Sequence, residues 1–113
     1  MNNKESYLYK VAETAVRCCA TKIDELTMSL TIDDVLGKSK AENVVMTRCI
    51  LVMLVLGEGY SVSTLAQMLH RTPHAIRNLQ AKGYEYASVS RAFRIAAAEA
   101  TLAVEKLRHE VGL

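Results

Sequence analysis

Apolar residues recur every three or four positions along most of the chain, and no run of strict alternation bounded by turn residues stands out, so the pattern predicts helices and no sheet. Residues 4–19 put Leu8, Val11, Ala12, Ala15, Val16 and Cys19 on one face, an amphipathic helix whose role is core packing. Two short pieces follow, KIDEL (22–26) and TIDDVL (31–36), each the size of a single helical turn. Thr31 followed by Asp34 has the spacing of a capping box. GKSKA (37–41) is a polar loop, and NVVMTRCILVMLVL (43–56) is apolar nearly all round, the signature of a central buried helix. Arg48 interrupts it, and because a buried unpaired charge is costly, Arg48 must reach an acid, the surface or a phosphate. GEGY (57–60) ends that helix.

Residues 61–83, SVSTLAQMLHRTPHAIRNLQAKG, carry the most specific signal. Val62, Leu65, Met68 and Leu69 share one face of a first helix, with Ser61 ahead of it as N-cap. After the polar break His70-Arg71, Thr72 is a second N-cap and Pro73 stands at the first helical position, where its missing N–H costs nothing. The second helix buries Ala75, Ile76 and Leu79, turns His74, Arg77, Asn78 and Lys82 outward, and ends at Gly83 in a left-handed cap. Two short helices across a tight turn, the second polar and basic, is the helix-turn-helix layout that places a recognition helix in a DNA major groove. The last segment, about 87–111, reads as one long helix with Val89, Phe93, Ala96, Ala100, Ala103, Val104, Leu107 and Val111 in a stripe that packs on its own domain or on a second copy.

Composition narrows the picture. The 113 residues, half of them hydrophobic, suit one domain spanning 1–113 with a modest core, and a single Pro with few aromatics favours an all-α protein. The first ten residues lack an apolar signal-peptide region, and the run 49–56 is too short to span a bilayer, so the expectation is a soluble, cytoplasmic protein without membrane contact. Cys18, Cys19 and Cys49 have no zinc spacing and read as buried reduced thiols. The net charge of +2 conceals an asymmetry: residues 70–94 carry Arg71, Arg77, Lys82, Arg91 and Arg94 against Glu85 alone. That basic cluster coincides with the two-helix motif, as a phosphate-binding face requires.

Within residues 31–82, the pieces IDDVLGKSK (32–40), VVMTR (44–48) and SVSTLAQML (61–69) resemble, in order and spacing, the C-terminal DNA-binding domain of the bacterial chromosomal replication initiator DnaA, whose fold is shared with the Trp repressor family. Residues 6–19 also resemble that domain's opening helix. The resemblance implies an all-α helix-turn-helix bundle in which Lys38 and Lys40 belong to a basic loop and Arg48 to the family's helix arginine. The chain departs from the family at TPHAI (72–76), where the initiators carry a D-H-S/T-T-V-like motif, and at Glu42, where they carry an arginine that enters the minor groove. No G-x-x-x-x-G-K-[ST] loop is present in these residues, so they are not expected to be a complete initiator ATPase.

The expected function is therefore sequence-specific binding of double-stranded DNA, in transcriptional or replication-associated regulation, with residues 73–82 as recognition helix. Arg77 and Asn78 have the donors and acceptors to read guanine and adenine edges. His74, in the first turn, touches a base or phosphate or is simply an exposed polar residue. Arg71 and Thr72 suit backbone phosphates, Thr72 doubling as cap. Lys38 and Lys40 are expected at phosphates rather than bases, Arg48 at a phosphate or in a buried ion pair, and Lys82 at the edge of the face. Arg91 and Arg94 extend the basic face or solvate the last helix. Tyr84 and Tyr86 anchor the turn between helices. The C-terminal stripe offers a homodimer contact giving two half-sites, or, in the rival reading, makes the protein a helical interaction module that grips a partner through residues 89–111. Adjacent acids at Asp24-Glu25 and Asp33-Asp34 point in different directions on a helix, and His70 and His74 lack a third ligand, so no enzyme, metal site or cofactor is expected.

Overall fold

The computed structural model describes residues 3–22, 31–110 and 112, and these form six helices with no strand among them. The protein is all-α. In chain order the helices are α1 (Asn3–Lys22), α2 (Ile32–Leu36), α3 (Glu42–Gly57), α4 (Val62–Leu69), α5 (Pro73–Val89) and α6 (Arg91–Glu110). Of the turn expected at 22–26, Lys22 is the last residue of α1 and residues 23–26 lie outside the described residues, as does Val111 of the C-terminal stripe.

Local chemistry sets most of the boundaries. Thr31 and Asp34 make a full capping box: the Asp34 N–H donates to Thr31 Oγ1 and the Thr31 N–H donates to Asp34 Oδ2 at 3.0 Å. Ser61 accepts from the Thr64 N–H at α4, and Thr72 accepts from the Ala75 N–H at α5, with Pro73 in the first turn. The left-handed residue in this region is His70, at φ 53, and it closes α4, where its N–H and that of Arg71 reach back to Gln67 and Ala66.

Two expected boundaries move. Gly83 caps nothing, because α5 runs through it to Val89. It is buried instead, and a Cβ there would lie 2.9 Å from Met53 Sδ and 3.5 Å from Cys49 Cβ, so the missing side chain lets α5 lie close against α3. The long C-terminal helix is broken at Ser90, which is extended (φ −117, ψ 113) and whose Oγ accepts from the Phe93 N–H as the N-cap of α6. Val89 thus belongs to the end of α5, 81% exposed and outside the stripe in which the sequence pattern places it.

α3 forms the centre, with ten residues from Val44 to Val55 buried, and α1, α5 and α6 pack around it. α1 and α6 lie along one another. Both bring small buried residues to the core, Ala12 and Ala15 from α1 and Ala96 and Ala100 from α6, which permit close approach. Phe93 is fully buried and tilts against the Tyr86 ring at 5.5 Å, so Tyr86 anchors the α5–α6 corner as expected. At the far end Glu58 Oε2 accepts from the Tyr7 hydroxyl and from Arg108 Nη1, both at 3.3 Å, tying α1, α3 and α6 together. Cys19 and Cys49 are fully buried and Cys18 half-buried. Burial pushes the Cys19 thiol up to about 12 and that of Cys49 up to about 11. No helix of the described residues is long and apolar enough to cross a membrane.

The stripe on α6 is consumed by this packing. Phe93, Ala96, Ala100 and Val104 lie inside the chain's own core and are not free to grip a partner or a second copy. The large exposed apolar residues of α6 are Ile95 and Leu102, on its outer side.

Candidate nucleic-acid interface

α4, the link at residues 70–72 and α5 stand at one edge of the bundle. Ile76 is fully buried and Ala75 and Leu79 half-buried, which orients α5 as its periodicity requires. The opposite side therefore faces solvent, and His74, Arg77, Asn78 and Lys82 are all exposed on it. The first turn of α5 contains no acid, and the first one along the helix is Glu85. Among the described residues the side chains of His74, Arg77 and Asn78 make no hydrogen bond within the protein, so their donors and acceptors are uncommitted. Lys82 is partly committed, with Nζ 5.9 Å from the centre of the Tyr86 ring.

The start of α5 adds directed polarity. Pro73 has no N–H, the Ala75 N–H donates to Thr72 Oγ1 at 3.1 Å, and the Ile76 N–H donates to the Thr72 carbonyl at 3.1 Å. The His74 amide is left as the first-turn donor without an acceptor among the described residues. The Thr72 hydroxyl, which accepts in the cap, keeps its own proton to donate. An open cleft of about 800 Å³ runs past this end of α5, lined by Lys38 from the α2–α3 loop together with Gln67, His70, Arg71, Thr72 and Ala75. Lys38 and Lys40 are exposed on that loop. The structure thus brings Lys38, Arg71 and Thr72 to one concavity, with His74, Arg77 and Asn78 on the adjoining helix face.

Arg48 does not join them. It is 4% exposed. Its Nε donates to the Val35 carbonyl at 2.8 Å, Nη1 to that of Ser39 at 3.1 Å, and Nη2 to those of Asp34 and Gly37 at 3.2 Å. The last carbonyls of a helix lack intrahelical partners, and a cation there also meets the negative end of the helix dipole. Arg48 is thus the C-terminal cap of α2, and the expected phosphate contact or ion pair gives way to backbone carbonyls. Arg71 is half-buried and partly engaged: Nη1 donates to the Leu69 carbonyl at 2.8 Å and Nη2 to that of Gly37 at 2.6 Å. Burial, and then the nearby Arg71 charge, lower the pKa of Arg48, and burial lowers that of Arg71; a guanidinium still keeps its charge at neutral pH.

Tyr84 is a surface residue that the sequence pattern misassigns. Read as a turn anchor because Gly83 looked like a helix end, it lies within α5, 61% exposed and seven residues from Arg77 on the same side. Arg94 is held at the α5–α6 corner, where Nη1 donates to the Ala87 carbonyl at 2.8 Å, while Arg91 is exposed. His70 closes α4 and His74 opens α5, and among the described residues no three His, Cys, Asp or Glu side chains are grouped to hold a metal ion.

No protein-family model, curated protein or solved structure matches this chain. What the face can do is set by its own groups.

Proposed function

We propose that this protein binds double-stranded DNA sequence-specifically through a helix-turn-helix formed by α4 and α5, and that it serves transcriptional or replication-associated regulation. The observation that carries the proposal is the outer side of α5, where His74, Arg77 and Asn78 are exposed, uncommitted and free of acidic neighbours in the first turn. An α-helix with its side chains is about 10–12 Å across and the major groove of B-DNA about 12 Å wide, so the outer side of α5 can enter it. In this assignment Arg77 pairs with guanine O6 and N7, Asn78 with adenine N6 and N7, and His74 contacts a base or phosphate. Lys38, Lys40, Arg71 and Thr72 lie along the phosphates, and Lys82 at the margin, so that backbone contacts position the helix while base contacts select sequence. The resemblance to the DnaA C-terminal domain belongs to the same proposal. The altered segment at residues 72–76 and Glu42 argue for a target other than the initiator box.

Fluorescence anisotropy with a pool of random duplexes, across a salt series, tests this. Each phosphate neutralised adds about −0.9 to the slope of log K against log salt. Arg77→Ala is expected to weaken binding to a selected site by about 1–3 kcal/mol and to relax the preference at one base pair. Lys38→Ala is expected to weaken all sequences alike and lower the slope by about 1. A protein that binds no duplex at low salt, or whose Arg77→Ala variant binds as the wild type does, is not working through this face.

A further inference from the structure

Two arginines from different parts of the chain meet on one backbone oxygen. Arg48, in α3, donates to the Gly37 carbonyl at 3.2 Å, and Arg71, in the α4–α5 link, donates to the same atom at 2.6 Å. A carbonyl has two lone pairs and accepts both. Arg71 also holds Leu69, and Arg48 also holds Asp34, Val35 and Ser39. The α2–α3 loop is thus tied at its base both to the central helix and to the link that opens α5.

This arrangement has an electrostatic cost. Two cations share an acceptor, and among the described residues neither has a carboxylate partner. The backbone adds a second constraint. A Cβ on Gly37 would stand 2.9 Å from the Asp33 carbonyl oxygen, a backbone atom, so a larger residue here must shift the loop against the end of α2. Lys38, the next residue, lines the cleft at the start of α5.

We propose that Arg48 and Arg71 form a clamp on Gly37 that holds Lys38 and Lys40 in fixed register with the N-terminal end of α5, so that loop and helix meet DNA as one surface. This rests on the DNA-binding function proposed above. Arg48 acts as a positioning residue, while Arg71 positions the loop and also faces the phosphates, and the unneutralised charge of both adds to the attraction for phosphate. Preorganisation has a calculable effect. If release leaves the loop in the binding geometry about one-tenth of the time, the apparent Kd rises about tenfold.

Two variants separate position from charge. Arg71→Lys keeps the charge and loses the fork of donors, whereas Gly37→Ala changes no charge and displaces the clamped backbone. Each is checked for folding by circular dichroism. Amide hydrogen exchange at residue 37 in the free protein, and duplex affinity by anisotropy, are then measured in both, with and without Lys38→Ala. The clamp predicts faster exchange in both variants, about tenfold weaker binding, and little further loss when Lys38→Ala is added, although Lys38→Ala alone weakens the wild type. Unchanged exchange overturns the clamp. Faster exchange with wild-type affinity, or a full additional loss from Lys38→Ala, overturns its positioning role. A wild-type protein that binds no duplex overturns the DNA-binding function itself, and is distinguished from failure of the clamp because exchange at residue 37 is read without DNA.

Discussion

α3 and α5 touch at Met53 and Gly83, are nearly equal in length, and each carries an arginine near its fifth to seventh position, yet they treat that charge in opposite ways. In α3 ten residues are buried, and Arg48 is drawn inward until four carbonyls share its guanidinium. In α5 only Ile76 and Gly83 are fully buried, and Arg77 stands in water. The cause is the neighbourhood. α3 is surrounded by other helices and passes the open C-terminal end of α2, whose orphan carbonyls need donors. α5 lies at the edge of the bundle with one narrow apolar side. A basic residue becomes available to a ligand only where the backbone has not already claimed it, so the number of arginines in a segment says less about binding than which carbonyls lie within their reach.

Substitutions in the two helices test this difference. Arg48→Ala is expected to have the largest effect, a stability loss of about 3 kcal/mol, since several charge-assisted hydrogen bonds disappear and buried carbonyls lose their donors; Arg77→Ala should shift stability by less than about 0.5 kcal/mol. Denaturant unfolding of both variants measures the difference, and equal losses would erase the distinction. Gly83→Leu comes next. Its side chain must displace Met53 and separate α5 from α3, costing about 1–3 kcal/mol by overpacking, again read in denaturant.

The buried Cys49 thiol, on the residue whose Cβ faces Gly83, gives a smaller, pH-dependent effect. Burial raises the Cys49 pKa from its ordinary 9.0 to about 11, so the stability due to keeping it protonated is complete below pH 9 and is lost as pH rises from 9 through 11. Between pH 8 and pH 10 the wild type should lose about 1 kcal/mol more than Cys49→Ala. An identical pH dependence in the two proteins would show the thiol to be hydrated. The smallest effect is expected at Leu102→Glu on the outer side of α6, which should leave stability within about 0.5 kcal/mol and duplex affinity nearly unchanged. Loss of a partner with this variant would instead favour an interaction module. Phe93, fully buried, is unsuited to that test because its replacement unfolds the core.

Much of the α4–α5 region was legible in the sequence because its boundaries are decided locally. Ser61, Thr72 and Pro73 act within three residues of their own position, and the capping box at Thr31 and Asp34 does the same. What was not legible depends on residues distant along the chain. Gly83 and Gly37 are the same residue type, each next to a lysine. One is buried in mid-helix because α3 passes close by, and the other turns a loop beside a backbone oxygen. Ser90 looked like an ordinary helical position until its hydroxyl capped a new helix. Arg48 was recognisable as a charge that needed a partner, but its partners are backbone carbonyls, which carry no residue-type signature. The outward row of His74, Arg77 and Asn78 follows from the 3.6-residue period once α5 is placed, whereas Tyr84 was hidden by the assumed stop at Gly83.

If α5 and the Gly37 loop form one DNA-binding face, amide chemical-shift mapping of the protein titrated with a short duplex at low salt should show it. Shifts are expected only at residues 38–40 and 70–85, with the outer side of α6 near Ile95 and Leu102 unmoved. Shifts centred on α6, or no shifts at saturating duplex, would contradict it.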